Sequence, residues 1–203
     1  MRLPALFLSA LVLLSPLAAG TKTFVPDTNH SLFGFRASTL LFEVPGRFQK
    51  YKLDIAGDPA DLSTVSIRVE LEARSINTEN KMRDDHLRTA DFFDVARYPK
   101  IVFTSRKAWR EGDKVQVQGL LTIRGIEKPL QITFTEATGL NGAGTPTWSY
   151  KATLPINRKD YGIGADSVAA KISLKDDVEL NLLLVGFFHD APAAPAAKAA
   201  RKK

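Results

Sequence analysis

The polar side chains with the best prospect of doing chemistry stand together at Arg83-Asp84-Asp85-His86. A carboxylate beside an imidazole can act as an acid–base pair, which makes Asp85 and His86 the candidates for an enzymatic reading. On a helix, however, adjacent side chains point about 100° apart and do not face each other. A second reading has Arg83 and an aspartate pinning a helical insertion through charge-assisted hydrogen bonds. A third has Arg83, Asp84, His86 and Phe92 touching the polar head group of a ligand. His30 and His189 stand at no zinc-ligand spacing from each other or from His86, and there is no cysteine, so no metal site and no thiolate chemistry are expected. His30, behind Asp27-Thr28-Asn29, fits a turn. There is no Gly-x-Ser-x-Gly elbow and no phosphate-cradling glycine loop; Gly162-Ile163-Gly164 reads as a loop.

The elements that must position these groups are strands. Period-two alternation, the mark of a half-buried strand, recurs from Thr23 to His189. Its inward sets are Phe33, Phe35 and Ala37; Tyr51, Leu53 and Ile55; Val65, Ile67, Val69, Leu71 and Ala73; Ile101, Phe103 and Ser105. Val115, Val117, Gly119, Leu121 and Ile123 follow, then Leu130, Ile132 and Phe134, then Trp148, Tyr150, Ala152 and Leu154, and last Val178, Leu180, Leu182 and Leu184. Turn signals separate the runs, among them Pro45-Gly46, Gly57-Asp58-Pro59 and Glu111-Gly112-Asp113. The expectation is an all-β domain of eight antiparallel strands. Barrel is favoured over sandwich, because closure removes exposed edges. Residues 78–90 break the alternation: Thr78 or Asn77 can cap a short helix with Met82 and Leu87 on its apolar side, a helical insertion at one barrel mouth.

The apolar faces admit two readings. Phe33, Phe35, Ile67, Val69, Leu71, Phe103, Val117, Leu121, Ile132, Phe134, Tyr150, Leu180 and Leu182 can fill the barrel, leaving a solid interaction module. Alternatively, the small residues on the same faces (Ala37, Ala73, Ser105, Gly119 and Ala152) leave a void, and an apolar void in water favours an apolar guest.

The chain ends read as processing and tail segments. Residues 1–20 begin with Met1-Arg2, continue through an apolar run that is too short to span a bilayer, and finish with Ala18-Ala19-Gly20. This is the pattern of a secretory signal peptide. Residues 21–190 form the single domain expected, and residues 191–203 an Ala/Pro-rich, disordered basic tail. The formal charge of +6 is concentrated at these ends: without Arg2, Lys198, Arg201, Lys202 and Lys203, the 28 basic residues fall to 23 against 22 acidic ones. A nearly neutral domain is a poor nucleic-acid partner, while the tail allows weak contact with an anionic membrane surface. Oligomeric state is not readable.

The motifs Asp27-x-x-His30-Ser31, Arg83-Asp84-x-His86-Leu87-Arg88, Asp91-Phe92-Phe93-Asp94-Val95 and Tyr98-Pro99-x-Ile101-x-Phe103 run in order along the chain. With Gly119-x-Leu121-Thr122-Ile123-x-Gly125 and Arg158-x-x-Tyr161-Gly162-Ile163-Gly164, the chain resembles the YceI-like family over nearly all of residues 23–187. The resemblance implies a lipocalin-like barrel exported to the periplasm. It further implies a polyisoprenoid, isoprenoid quinone or other long-chain amphiphile, bound or transported without catalysis and without a cofactor. Thr39 stands where the family often carries a histidine, and the following loop (Leu40 to Pro45) is one residue shorter, which bears on head-group recognition more than on the tail tunnel.

Overall fold

Short polar turns between alternating runs fold the chain back on itself into an antiparallel meander that closes. The computed structural model describes residues 22–190; the expected signal peptide (residues 1–20) and the expected basic tail (residues 191–203) lie outside them. In chain order the strands are β1 (Lys22–Pro26), β2 (Leu32–Thr39), β3 (Glu43–Phe48), β4 (Tyr51–Asp58), β5 (Asp61–Glu72), β6 (Ile76–Asn77), β7 (Lys100–Glu111), β8 (Lys114–Ile123), β9 (Ile126–Leu140), β10 (Pro146–Asn157) and β11 (Leu174–Asp190). Two helices interrupt them, α1 (Lys81–Leu87) and α2 (Val168–Ser173).

Eight strands form the ring, in the order β1-β4-β5-β7-β8-β9-β10-β11, and β1 pairs back with β11. The eight expected runs correspond to β2, β4, β5 and β7 to β11, and the structure adds β1, β3 and β6. Closure depends on the 17-residue β11, whose one edge is shared end to end by two strands. β1 takes its last residues (Lys22 opposite Asp190) and β2 its first ones (Leu32 opposite Leu183). The break between them is stitched by side chains. Asp27 accepts from the backbone N–H of Asn29 and pairs with His30 Nδ1 at 2.7 Å. Ser31 Oγ both donates to the Val185 carbonyl and accepts from its N–H. His30 is therefore a turn residue.

Pro45-Gly46 is not the turn the sequence pattern predicts. It lies inside β3, where Arg36 faces Pro45 and Phe35 faces Gly46. Proline is tolerated there because β3 is an edge strand apart from its two-residue contact with β6. Gly46 is required because a Cβ would come within 2.2 Å of the Phe35 ring.

All the turns that carry α1, α2, β2–β3 and β8–β9 gather at one end of the barrel, here called the helical end. The β4–β5, β7–β8 and β9–β10 turns lie at the other. Rings pack against one another toward the turn end: Phe24 on Phe188 at 5.1 Å, Trp148 on Phe188 at 5.3 Å, and Tyr150 between Phe24 and Phe134 at 6.4 Å from each. These edge-on contacts are the geometry that ring quadrupoles favour.

Gly119 belongs to the wall rather than to any empty space. A Cβ there would meet the Thr104 carbonyl at 2.4 Å and the Phe103 ring at 2.6 Å. Gly119→Ala is accordingly expected to cost about 1–3 kcal/mol through overpacking. Urea unfolding measures it, and a variant as stable as the parent would contradict this packing.

Candidate ligand-binding cavity

The barrel is hollow. About 1640 Å³ of atom-free space, with open solvent at its mouth included, runs between inward side chains of nearly every strand. The lining includes Phe33 and Phe35 of β2; Ile67, Val69 and Leu71 of β5; Phe103 of β7; Val117 and Leu121 of β8; Ile132 and Phe134 of β9; Tyr150 of β10; and Leu180 and Leu182 of β11. Phe92, from the segment after α1, joins them. All the apolar residues expected from the sequence to face a ligand thus border one space, and the solid barrel weighed as an alternative is not the one found.

The origin of the hollow differs from the expectation. Of the five small residues thought to leave room, Ala37 borders the cavity, whereas Ala73, Ser105, Gly119 and Ala152 do not. Gly119 is filled by Phe103 as described, and Ser105 Oγ accepts from the Ile67 N–H at 2.8 Å across a bulge. The space comes instead from a ring too wide for its own side chains. Val65, Ile67, Leu71, Phe35, Val178, Leu180 and Leu182 point inward yet remain only half-buried, because they face the void.

The helical end carries the polar candidates, and its geometry gives them structural duties. Asn80, rather than Thr78 or Asn77, caps α1 by accepting from the Arg83 N–H. Asp84 is buried and accepts from Thr78 Oγ1 at 2.6 Å and from the Thr78 N–H at 2.8 Å. Arg83 donates to Thr78 Oγ1 and to its carbonyl. Arg88 donates to the Arg74 and Ile76 carbonyls and to Asp85. The insertion is therefore fastened to the chain leaving β5, with Leu87 turned into the cavity and Met82 outward, 83% exposed, against the sequence expectation. Arg83, Asp84 and His86 border no part of the cavity lining.

Asp85 and His86 do not form the acid–base pair considered from sequence. Asp85 is bound by Lys81 and Arg88, and Lys81 foremost holds its carboxyl below the ordinary value. His86 turns to a different carboxylate, with Nε2 at 3.2 Å from Asp91, and its ring packs edge-on against Phe92.

One motif residue proves to be a buried charge on the cavity wall, which its place in the sequence does not indicate. Arg158, just after β10, is 2% exposed and is the single charged residue of the lining among the described residues. Its Nε donates to the Lys175 carbonyl, Nη1 to Ile163, and Nη2 to Ala170, Leu174 and the Asp176 carboxylate. It ties the 3-10 turn Arg158–Tyr161, α2 and the start of β11 into one cap. Gly164, at φ +69°, sits where Arg158, Ala170 and Phe92 converge, and its N–H donates to the Asp91 carbonyl. The pair Gly162-Ile163-Gly164 is thus a loop, as its spacing predicts, but one that puts Ile163 on the cavity wall. Tyr150 is the other polar group in the lining; burial foremost, then the Glu136 carboxylate, pushes its phenol far above the ordinary range, so it stays neutral.

A model of the YceI-like domain matches residues 24–185. A UPF0312 protein of Vibrio cholerae is 30% identical over 179 residues, 84% of this chain and 93% of the relative. One from Photorhabdus laumondii is 32% identical over 158 residues, covering 75% and 80%. Among solved structures, BcnA of Burkholderia cenocepacia superposes with a TM-score of 0.71 at 26% identity, covering 80% of this chain and 100% of that one. A polyisoprenoid-binding domain from Saccharophagus degradans shares the fold, with a TM-score of 0.58 at 17% identity, over 86% of this chain and 100% of its own length.

Proposed function

This chain belongs to the YceI-like domain family, and we propose that it is a non-catalytic carrier whose barrel holds the hydrocarbon tail of a polyisoprenoid, isoprenoid quinone or other long-chain amphiphile. The observation that carries this reading is the hollow itself, walled by aliphatic and aromatic side chains with one charge that is already spoken for. A 12-residue strand such as β5 or β10 runs about 40 Å, or about 30 Å along a barrel axis tilted by roughly 40°. That length accommodates several prenyl units.

The energetics suffice without any covalent step. Burying one five-carbon unit contributes about 3–4 kcal/mol, and three contribute about 10, from which association costs of several kcal/mol are subtracted. Micromolar affinity or better follows from the tail alone. No cofactor is needed. The proposal includes export by the N-terminal segment and a periplasmic site of action, where an amphiphile needs a container to cross water.

Native mass spectrometry of the purified protein, followed by organic extraction of whatever departs, tests the reading. A bound apolar molecule of discrete mass is the expected result. An empty barrel that also takes up no added long-chain isoprenoid would overturn it.

A further inference from the structure

Large apolar side chains are exposed almost entirely at one end of this barrel. Among the described residues these are Leu40, Leu41, Phe42, Met82, Ile126, Val168, Ile172 and Leu140. All except Leu140 belong to the β2–β3 turn, α1, α2 or the first residue of β9, which lie at the helical end. We infer that this end is a bilayer-docking rim, inserting the Leu40-Leu41-Phe42 tip and the Val168/Ile172 face of α2 into the apolar boundary of a lipid membrane.

The two main patches are neighbours. Thr39 pairs directly with Leu174, so the strand entering the tip and the strand leaving α2 are hydrogen-bonded partners. Val168 and Ile172 are four residues apart on α2 and share one face, 69% and 73% exposed. Opposite them, on the inner side of the same helix, Ala170 is buried against the Arg158 cap. The tip is a built turn: Thr39 N–H donates to the Phe42 carbonyl at 2.8 Å, and Thr39 Oγ1 accepts from the N–H groups of Leu41 and Phe42. It thrusts Leu41 outward to 91% exposure.

The shape selects the occupant. A side chain that stands so far clear at the apex of a turn is a convex point rather than a groove or flat patch, which suits a deformable hydrocarbon layer. The surface is also continuous with the cavity, because Ala37, two residues before Thr39, and Leu174, just after α2, both line it. An amphiphile leaving a bilayer at this rim would pass from one apolar environment to another. Free charge at the rim is mixed, with Lys171 and Lys175 beside Asp166 and Asp177. Docking is therefore expected to be driven by apolar insertion and to persist on zwitterionic vesicles and in high salt.

This inference concerns a surface and stands apart from what the cavity holds. The test is flotation of the full chain with phosphatidylcholine vesicles, with and without added phosphatidylglycerol. The parent protein should float, and the pair Leu41→Asp with Ile172→Asp should lose at least tenfold in vesicle partitioning while keeping its circular dichroism, its melting temperature and its retained ligand. Leu140→Asp, at the opposite end, should float like the parent. A parent chain that stays in the aqueous fraction, or a double variant that floats unchanged, would overturn the inference. So would sedimentation showing that these side chains instead bury against a second copy and that the double variant merely splits a dimer. A parent chain that floats but holds no apolar ligand and takes up none would instead count against the carrier reading alone.

Discussion

Replacing Leu180 by tryptophan should empty the barrel without unfolding it. Leu180 projects inward from the middle of β11, opposite Phe35 and Leu154, and stays only half-buried because it borders the void. In a filled core the larger ring would overpack and destabilise by about 1–3 kcal/mol. Here it meets open space and should leave the melting temperature unchanged or higher. The ligand loses that space. Exclusion of one five-carbon unit removes about 3–4 kcal/mol of burial, so affinity should fall roughly 100- to 1000-fold. Titration with a fluorescent long-chain isoprenoid, run beside thermal unfolding, reads both quantities. Undiminished binding in a folded Leu180→Trp protein would show that the tail lies elsewhere.

The second large effect is on stability. Arg158→Met should destabilise the fold by about 3–5 kcal/mol, because it removes at once the hydrogen bonds that join the carbonyls of Ile163, Ala170, Leu174 and Lys175 and the Asp176 carboxylate. Arg158→Lys should recover little of this, since an ammonium cannot spread donors over the arc that the guanidinium spans. Urea denaturation measures both variants. If Arg158→Met came within about 1 kcal/mol of the parent, the cap would not depend on this residue.

The parts of the fold that were legible in the sequence are those in which one residue type repeats at a fixed period. Val65, Ile67, Val69 and Leu71 announced β5 and its inward face because each strand wall needs an apolar side chain at every second position. What the pattern hid was short or locally contradictory. β1 has five residues and one buried side chain, Phe24, and its place on the ring is settled by β11, far away in sequence. β3 was masked by Pro45-Gly46, residues that spell a turn when isolated and serve an edge strand here. The void was open to reading, but its cause was not. Small residues looked like its cause, yet Gly119 and Ser105 are committed to wall contacts, and emptiness depends on ring circumference, which no single strand encodes. Arg158 stood out only as the first residue of a motif, and its structural duty stayed hidden because most of its partners are backbone carbonyls that carry no side-chain signature. The acidic and basic run at residues 83–86 drew attention for its chemistry, and in the folded chain Arg83 and Asp84 are spent on Thr78.

The engagement of Arg158 has a consequence for selectivity. All three guanidinium nitrogens point at fixed acceptors of the protein itself, and the Tyr150 phenol lies against Glu136. In the carrier reading proposed above, a guest would meet no uncommitted charge among the described residues of the lining, and the barrel would work as a calliper, sorting molecules by girth and reach rather than by the chemistry of the part it encloses.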